Sequence, residues 1–227
     1  MTFISVYIAF LSVKSALSGI VYWVSVLLPG SFAEVKRQAA TDHVLAAVRR
    51  LVLTKGLDVT MDELAECSGA SRRTLFRHFT TRDKLLAAAF EAGIVDYRQQ
   101  LPAYDGDRDS WLRATCDTAH RMNATIGPGF FELASRRDLS PDLATVAAKR
   151  LREFRAAMTD ISQTLWRATG RDDRPPQLLH ANVCAHLSPH FTAALTIDAG
   201  QTWSTAADLA YGAVTAALQR CVSASET

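Results

Sequence analysis

The chain has 227 residues, 48% of them hydrophobic, and a formal net charge of +2. This apolar content excludes a disordered chain, and the length suits one large domain or two smaller ones. So small a net charge excludes a surface that attracts polyanions everywhere, and any affinity for nucleic acid has to come from a local cluster.

In chain order, the first feature is "FISVYIAFLSVKSALSGIVYWVSVLL", residues 3–28, in which Lys14 is the only charge. At about 1.5 Å per residue a helix of this length spans a bilayer. Lys36 and Arg37 would then hold the following domain in the cytoplasm. Three readings stay open: a membrane anchor, a start assigned too early with translation beginning near Val35, and an amphipathic or buried arm. A cleaved export signal fits less well, because the positively charged start is missing. Residues 1–38 are therefore set apart as an apolar extension.

Beyond residue 38 apolar residues recur at steps of three and four, which predicts an all-α fold. A first helix is expected from Thr41 to Lys55, with Val44, Val48, Leu51 and Val52 as its apolar stripe and Gly56 as its left-handed stop. "TMDE" at 60–63 is a capping box, and it opens a short second helix. "CSGAS" breaks that helix: Gly69 turns the chain and Ser71 caps a third helix starting at Arg72. A threonine cap then opens a long run ending before Pro102. Further helices are expected at 110–126, around Phe130, Phe131 and Leu133, at 141–169, at 176–197 and at 204–222. In the longest, Leu151, Phe154, Met158, Ile161 and Leu165 form one stripe.

"SGASRRTLFRHF", residues 68–79, carries three arginines and a histidine and no acid. At about 100° per residue, Leu75, Phe76 and Phe79 are expected to form an inward edge against Leu64 and Val48. Arg72, Arg73, Arg77 and His78 then fan outward. A capped helix, a glycine turn and a serine-capped basic helix, in that order, make a helix-turn-helix. Guanidinium groups on such a face fork onto guanine O6 and N7 or grip phosphate.

Residues 41–90 resemble the DNA-binding domain of the TetR family of transcriptional regulators. The pattern that carries the resemblance is "GLDVTMDELAECSGASRRTLFRHFTTRDKLLAAAF". It implies that Arg72, Arg73, Thr74 and Arg77 face bases or nearby phosphates, that Thr60, His78 and Arg82 hold the DNA backbone, and that Ser71 and Phe76 belong to the same surface. Phe76 stands where the family often has tyrosine, so a phenol contact to phosphate is missing. The resulting architecture is an N-terminal three-helix DNA-binding domain, residues 39–88, and a C-terminal helical domain for ligand binding and dimerisation, residues 89–227.

One recognition helix touches few base pairs, so a homodimer on a palindromic double-stranded operator is expected, joined through the last two helices. Between these helices and the DNA-binding domain, Trp111, Met122, Phe130, Phe131, Phe154, Met158 and Trp166 are the candidates for lining an effector cavity. Their side chains favour an apolar or flat small molecule. The family implies a cytoplasmic repressor released by such an effector; a membrane-tethered regulator is the alternative if residues 3–28 are an anchor.

No cofactor and no enzyme are expected, since G-x-S-x-G, P-loop and dinucleotide glycine patterns are all absent. Four cysteines, Cys67, Cys116, Cys184 and Cys221, lie far apart without a C-x-x-C pair, as reduced thiols do in a cytosolic protein. "HANVCAHLSPH" offers His180 with Cys184 and His186 with His190, but on nearly opposite helix faces, so no metal is expected either.

Overall fold

A computed structural model describes residues 32–93 and 97–225. The 3–28 stretch, with its readings as anchor, arm or misassigned start, lies outside the described residues. Among the described residues no helix is long and apolar enough to cross a membrane.

The described elements are all helical, as the periodicity predicts. α1 spans Phe32–Lys55, α2 Met61–Ser68, α3 Arg72–Phe79 and α4 Arg82–Ala92. α1 starts nine residues before the expected Thr41 and runs through the boundary drawn at residue 38. Its first two turns are exposed, so no apolar stripe marks them in the sequence. On the part that packs, Leu45, Ala47, Val48 and Val52 are buried, while Val44 and Leu51 are only partly so. Of the run expected to continue to Pro102, α4 ends at Ala92 with Gly93 as its cap, and the one-turn α5 covers Tyr97–Gln100; residues 94–96 lie outside the described residues.

The remaining helices are α6 (Arg108–Asn123), α7 (Pro128–Ser135), α8 (Pro141–Arg167), α9 (Gln177–His186), α10 (Pro189–Ala193) and α11 (Trp203–Ala224). A π-helical turn, Ala194–Asp198, follows α10. The helix expected at 176–197 is thus broken. Pro189 has no N–H to continue the ladder, and Ser188 accepts the Phe191 N–H to start α10 afresh. On α8, Leu151 is 48% exposed and does not join the predicted stripe, whereas Met158, Ile161 and Leu165 are buried. Leu143 and Val146 carry the buried face at the helix's other end.

Two hydrophobic cores result. One joins α6, α8, α9 and α11 around Trp111, Met158, Leu165, Trp166, Leu179 and Val214. The other joins α1 to α4 but takes Leu133 from α7 and Leu143 and Val146 from α8. The DNA-binding domain drawn at 39–88 therefore completes its core with residues from the second half of the chain. The contact is close. A Cβ on Gly127, which caps α7, or on Gly129 within it would run into the backbone carbonyls of Leu53 and Val52 in α1.

His120 on α6 is fully buried, with Nδ1 2.8 Å from the Thr192 hydroxyl. Burial pushes its imidazole down to about 4, against a smaller upward pull from the His186 backbone. The unfolded chain takes up this proton near 6.5, the folded one only near 4, so between these values the unfolded state binds more protons. The neutral-ring contribution is complete above 6.5 and is lost as pH falls towards 4. Urea unfolding at pH 7.5 and 4.5 should show His120→Phe losing about 2–3 kcal/mol less than the parent over this interval.

Candidate nucleic-acid interface

The site begins with two caps. Thr60 accepts the Glu63 N–H at 3.3 Å while the Glu63 carboxylate accepts the Thr60 N–H at 2.8 Å, so α2 opens on the predicted capping box. Lys55 donates to Glu63 at 2.8 Å, and this bond together with those from Thr60 holds the carboxyl down at about 2. Gly69 closes α2 at φ 67°, a left-handed conformation that a side chain would strain. Ser71 then accepts the Thr74 N–H at 3.1 Å and starts α3.

One residue anchors α3. Leu75 is 1% exposed and shares a core with Val48 and Leu64; Phe79 packs at its margin. Phe76, placed on the inward edge by the sequence, is instead 42% exposed. Adjacent positions on a helix differ by about 100°, so with Leu75 pointing straight in, Phe76 is turned to the outer face with Arg72 and Arg73. The Arg72 guanidinium lies 6.0 Å from its ring centroid.

The expected DNA-facing residues fall into two groups. Arg73, Arg77 and His78 are exposed, and neither arginine forms an ion pair among the described residues. The others are already engaged. Arg72 pairs with Asp62 at 3.1 Å. Arg82 binds Asp83 at 2.9 Å and donates to the Val59 carbonyl at 3.3 Å, which ties α4 to the strand-like entry of α2. Thr60 and Thr74 spend their hydroxyls on the caps. Thr80, between α3 and α4, takes φ 66°, which is costly for a β-branched residue and fixes a tight reversal.

Position is imposed on this head by α7. The Glu132 carboxylate accepts the Leu57 N–H at 2.7 Å, and Arg136 pairs with Asp58 at 2.7 Å. Gly56, at φ 96°, makes room for that carboxylate, since a Cβ there would collide with it. Asp62, Glu132 and Arg136 escaped the sequence reading. The last two act across 75 and 78 residues, and no local pattern records such a pairing.

The seven cavity candidates separate. Trp111, Met158 and Trp166 lie inside the C-terminal core, with Phe154 packed on it; the two indoles donate to the Pro102 carbonyl and the Asp173 carboxylate, each at 2.8 Å. Phe130 and Phe131 stack edge to face on α7 at 5.4 Å, and Met122 is half-buried at the end of α6. His180 and Cys184 stand 3.5 Å apart, and among the described residues no group of three metal-ligating side chains forms.

Residues 44–89 match the family described as "Bacterial regulatory proteins, tetR family". A 57-residue segment is 38% identical to the HTH-type transcriptional regulator YvaF of Bacillus subtilis (strain 168). That segment spans 25% of this chain and only 30% of the relative's length. The fold as a whole resembles SCO4454, a TetR-family transcriptional regulator from Streptomyces coelicolor, with a TM-score of 0.55 over 80% of this chain and 95% of that one, at 18% identity. A helix-turn-helix head on a helical C-terminal region is thus the architecture. It is the head, residues 44–89, that is similar to the TetR family of transcriptional regulators.

Ser71→Ala removes the oxygen that holds the Thr74 N–H. Urea unfolding should show a loss of about 1 kcal/mol.

Proposed function

We propose that the chain is a homodimeric repressor that reads a palindromic operator with α3 and releases it on binding a small molecule. The observation that carries this reading is the outer face of α3, where Arg73 and Arg77 stand exposed, without an ion pair among the described residues and with no carboxylate in their own helix. Arg73, Arg77 and Thr74 are assigned to base edges and adjacent phosphates, and Thr60, Ser71, His78 and Arg82 to the sugar-phosphate backbone. Phe76 supplies apolar contact on the same face, such as to a thymine methyl. Arg72 leaves Asp62 for DNA at little cost, because an ion pair this exposed is worth little in water.

Dimerisation is assigned to the outer faces of α9 and α11. Leu178, Ala181 and Ala185 on the first, and Leu209, Gly212 and Ala216 on the second, are exposed at helical spacing. At Gly212 nothing lies within 4 Å of where a Cβ would sit, which leaves space for a close-approaching partner helix. Two such subunits set two copies of α3 into successive major grooves, about 34–36 Å apart. An effector that binds the dimer better with its heads in a different spacing releases DNA by that difference in affinity. α7 is suited to carry the change, being packed on α1 and bonded to the α1–α2 turn.

Arg73→Ala should weaken binding to an inverted-repeat duplex from the flanking DNA by about 1–3 kcal/mol. Fluorescence anisotropy at fixed salt reads this loss, and unchanged affinity removes Arg73 from the interface. Gly212→Glu should give a monomer in light scattering and lose operator binding together with dimerisation. A variant that stays dimeric would move the interface off α11.

A further inference from the structure

Arg150, on α8, is a half-buried cation with no carboxylate paired to it among the described residues. Burial pulls its guanidinium down to about 10, against the opposing pull of Glu153, so it stays charged at neutral pH. Among the described residues it forms no ion pair and no hydrogen bond. Glu153, one turn along the same helix, acts on it only through space. Glu132, on the facing α7, has turned its carboxylate to the Leu57 N–H.

What Arg150 does meet is an aromatic surface. Its guanidinium carbon lies 4.1 Å from the ring centroid of Phe130. Phe130 meets Phe131 edge to face at 5.4 Å, and Phe131 meets the His190 ring of α10 at 5.2 Å. Three helices thus bring together a planar fork of N–H donors, two phenyl rings and an imidazole, with no acceptor bonded to the fork among the described residues. A half-desolvated charge left without an acceptor is a cost to the fold. A ligand carboxylate or sulfonate would offset it, accepting two parallel N–H bonds from the fork.

We propose that the junction of α7, α8 and α10 binds an amphipathic monoanion, its carboxylate or sulfonate on Arg150 and its aromatic or other apolar body on Phe130 and Phe131. This rests on the effector reading above and narrows the ligand from an apolar molecule to one with a single anionic head. The rings belong to α7, the helix that grips the DNA-binding head, so occupancy is felt where the two halves of the chain meet.

The test is a fluorescence titration of the full chain with 8-anilinonaphthalene-1-sulfonate and with N-phenyl-1-naphthylamine, the same aryl body without the sulfonate. The parent should bind the sulfonate at least about tenfold more tightly than the amine. Arg150→Met should erase that preference while leaving amine affinity within roughly twofold, and Arg150→Lys should keep most of it. Should circular dichroism show Arg150→Met unfolded, Arg150→Gln serves for the same comparison. Equal affinity of the parent for both probes, or a sulfonate preference that survives loss of the cation, overturns the proposal. Operator binding measured on the same samples separates the two readings. Intact operator binding without a sulfonate preference removes the anion site alone, whereas a parent that fails to recognise its operator removes the regulatory reading beneath it.

Discussion

The arrangement of this molecule depends on how closely α7 lies against α1. Backbone carbonyls of Val52 and Leu53 occupy the space that side chains at 127 and 129 would need, so only glycine permits the approach. That proximity lets Glu132 reach the Leu57 amide and Arg136 reach Asp58, and it lets Leu133 complete the core beneath Val48 and Leu64. The half-buried carboxylate contact replaces a hydrogen bond that the α1–α2 turn would otherwise make to water. Without this contact the head would be a small three-helix domain with part of its core missing.

From that base the exposed helix can afford to be short. α3 has eight residues and one fully buried side chain, too little to be stable alone, since isolated helices of that length are marginal in water. Its stability comes from Leu75 in a shared core, from the Ser71 cap and from the fixed reversal at Thr80. The outer face is consequently free of packing duties. Three arginines and a histidine can be placed there without neutralising partners inside the helix, and this leaves the positive field that a phosphate backbone attracts.

The same helix α7 faces both ways. On one side it meets the DNA-binding head through Glu132, Arg136 and two glycines; on another it presents Phe130 and Phe131 to Arg150 and His190. Packed interiors respond to a displaced helix by shifting as units, so an event at the aromatic side has a mechanical route to the α1–α2 turn. Trp111 and Trp166 lie instead in the bundle core, their indoles bonded to the Pro102 carbonyl and the Asp173 carboxylate.

The head was legible in the sequence because its determinants are local. A capping box, a glycine turn and a serine cap each act within four residues, and their order predicted α2, the turn and α3 at the boundaries observed. The outward side of Phe76, the early start of α1 and the break before Pro189 were not legible, because each depends on which face finds a partner. Leu151 shows the same limit: it keeps helical register with Met158, yet it stays 48% exposed. Sequence alone therefore determined an all-helical chain with a basic helix-turn-helix near its start, since helix periods and caps are short-range properties. Only tertiary structure decided that α7 and α8 finish the core of that head, that Arg72 rests on Asp62, and that Arg150 meets the Phe130 ring instead of a carboxylate, because these contacts join residues whose separation along the chain leaves no periodic trace.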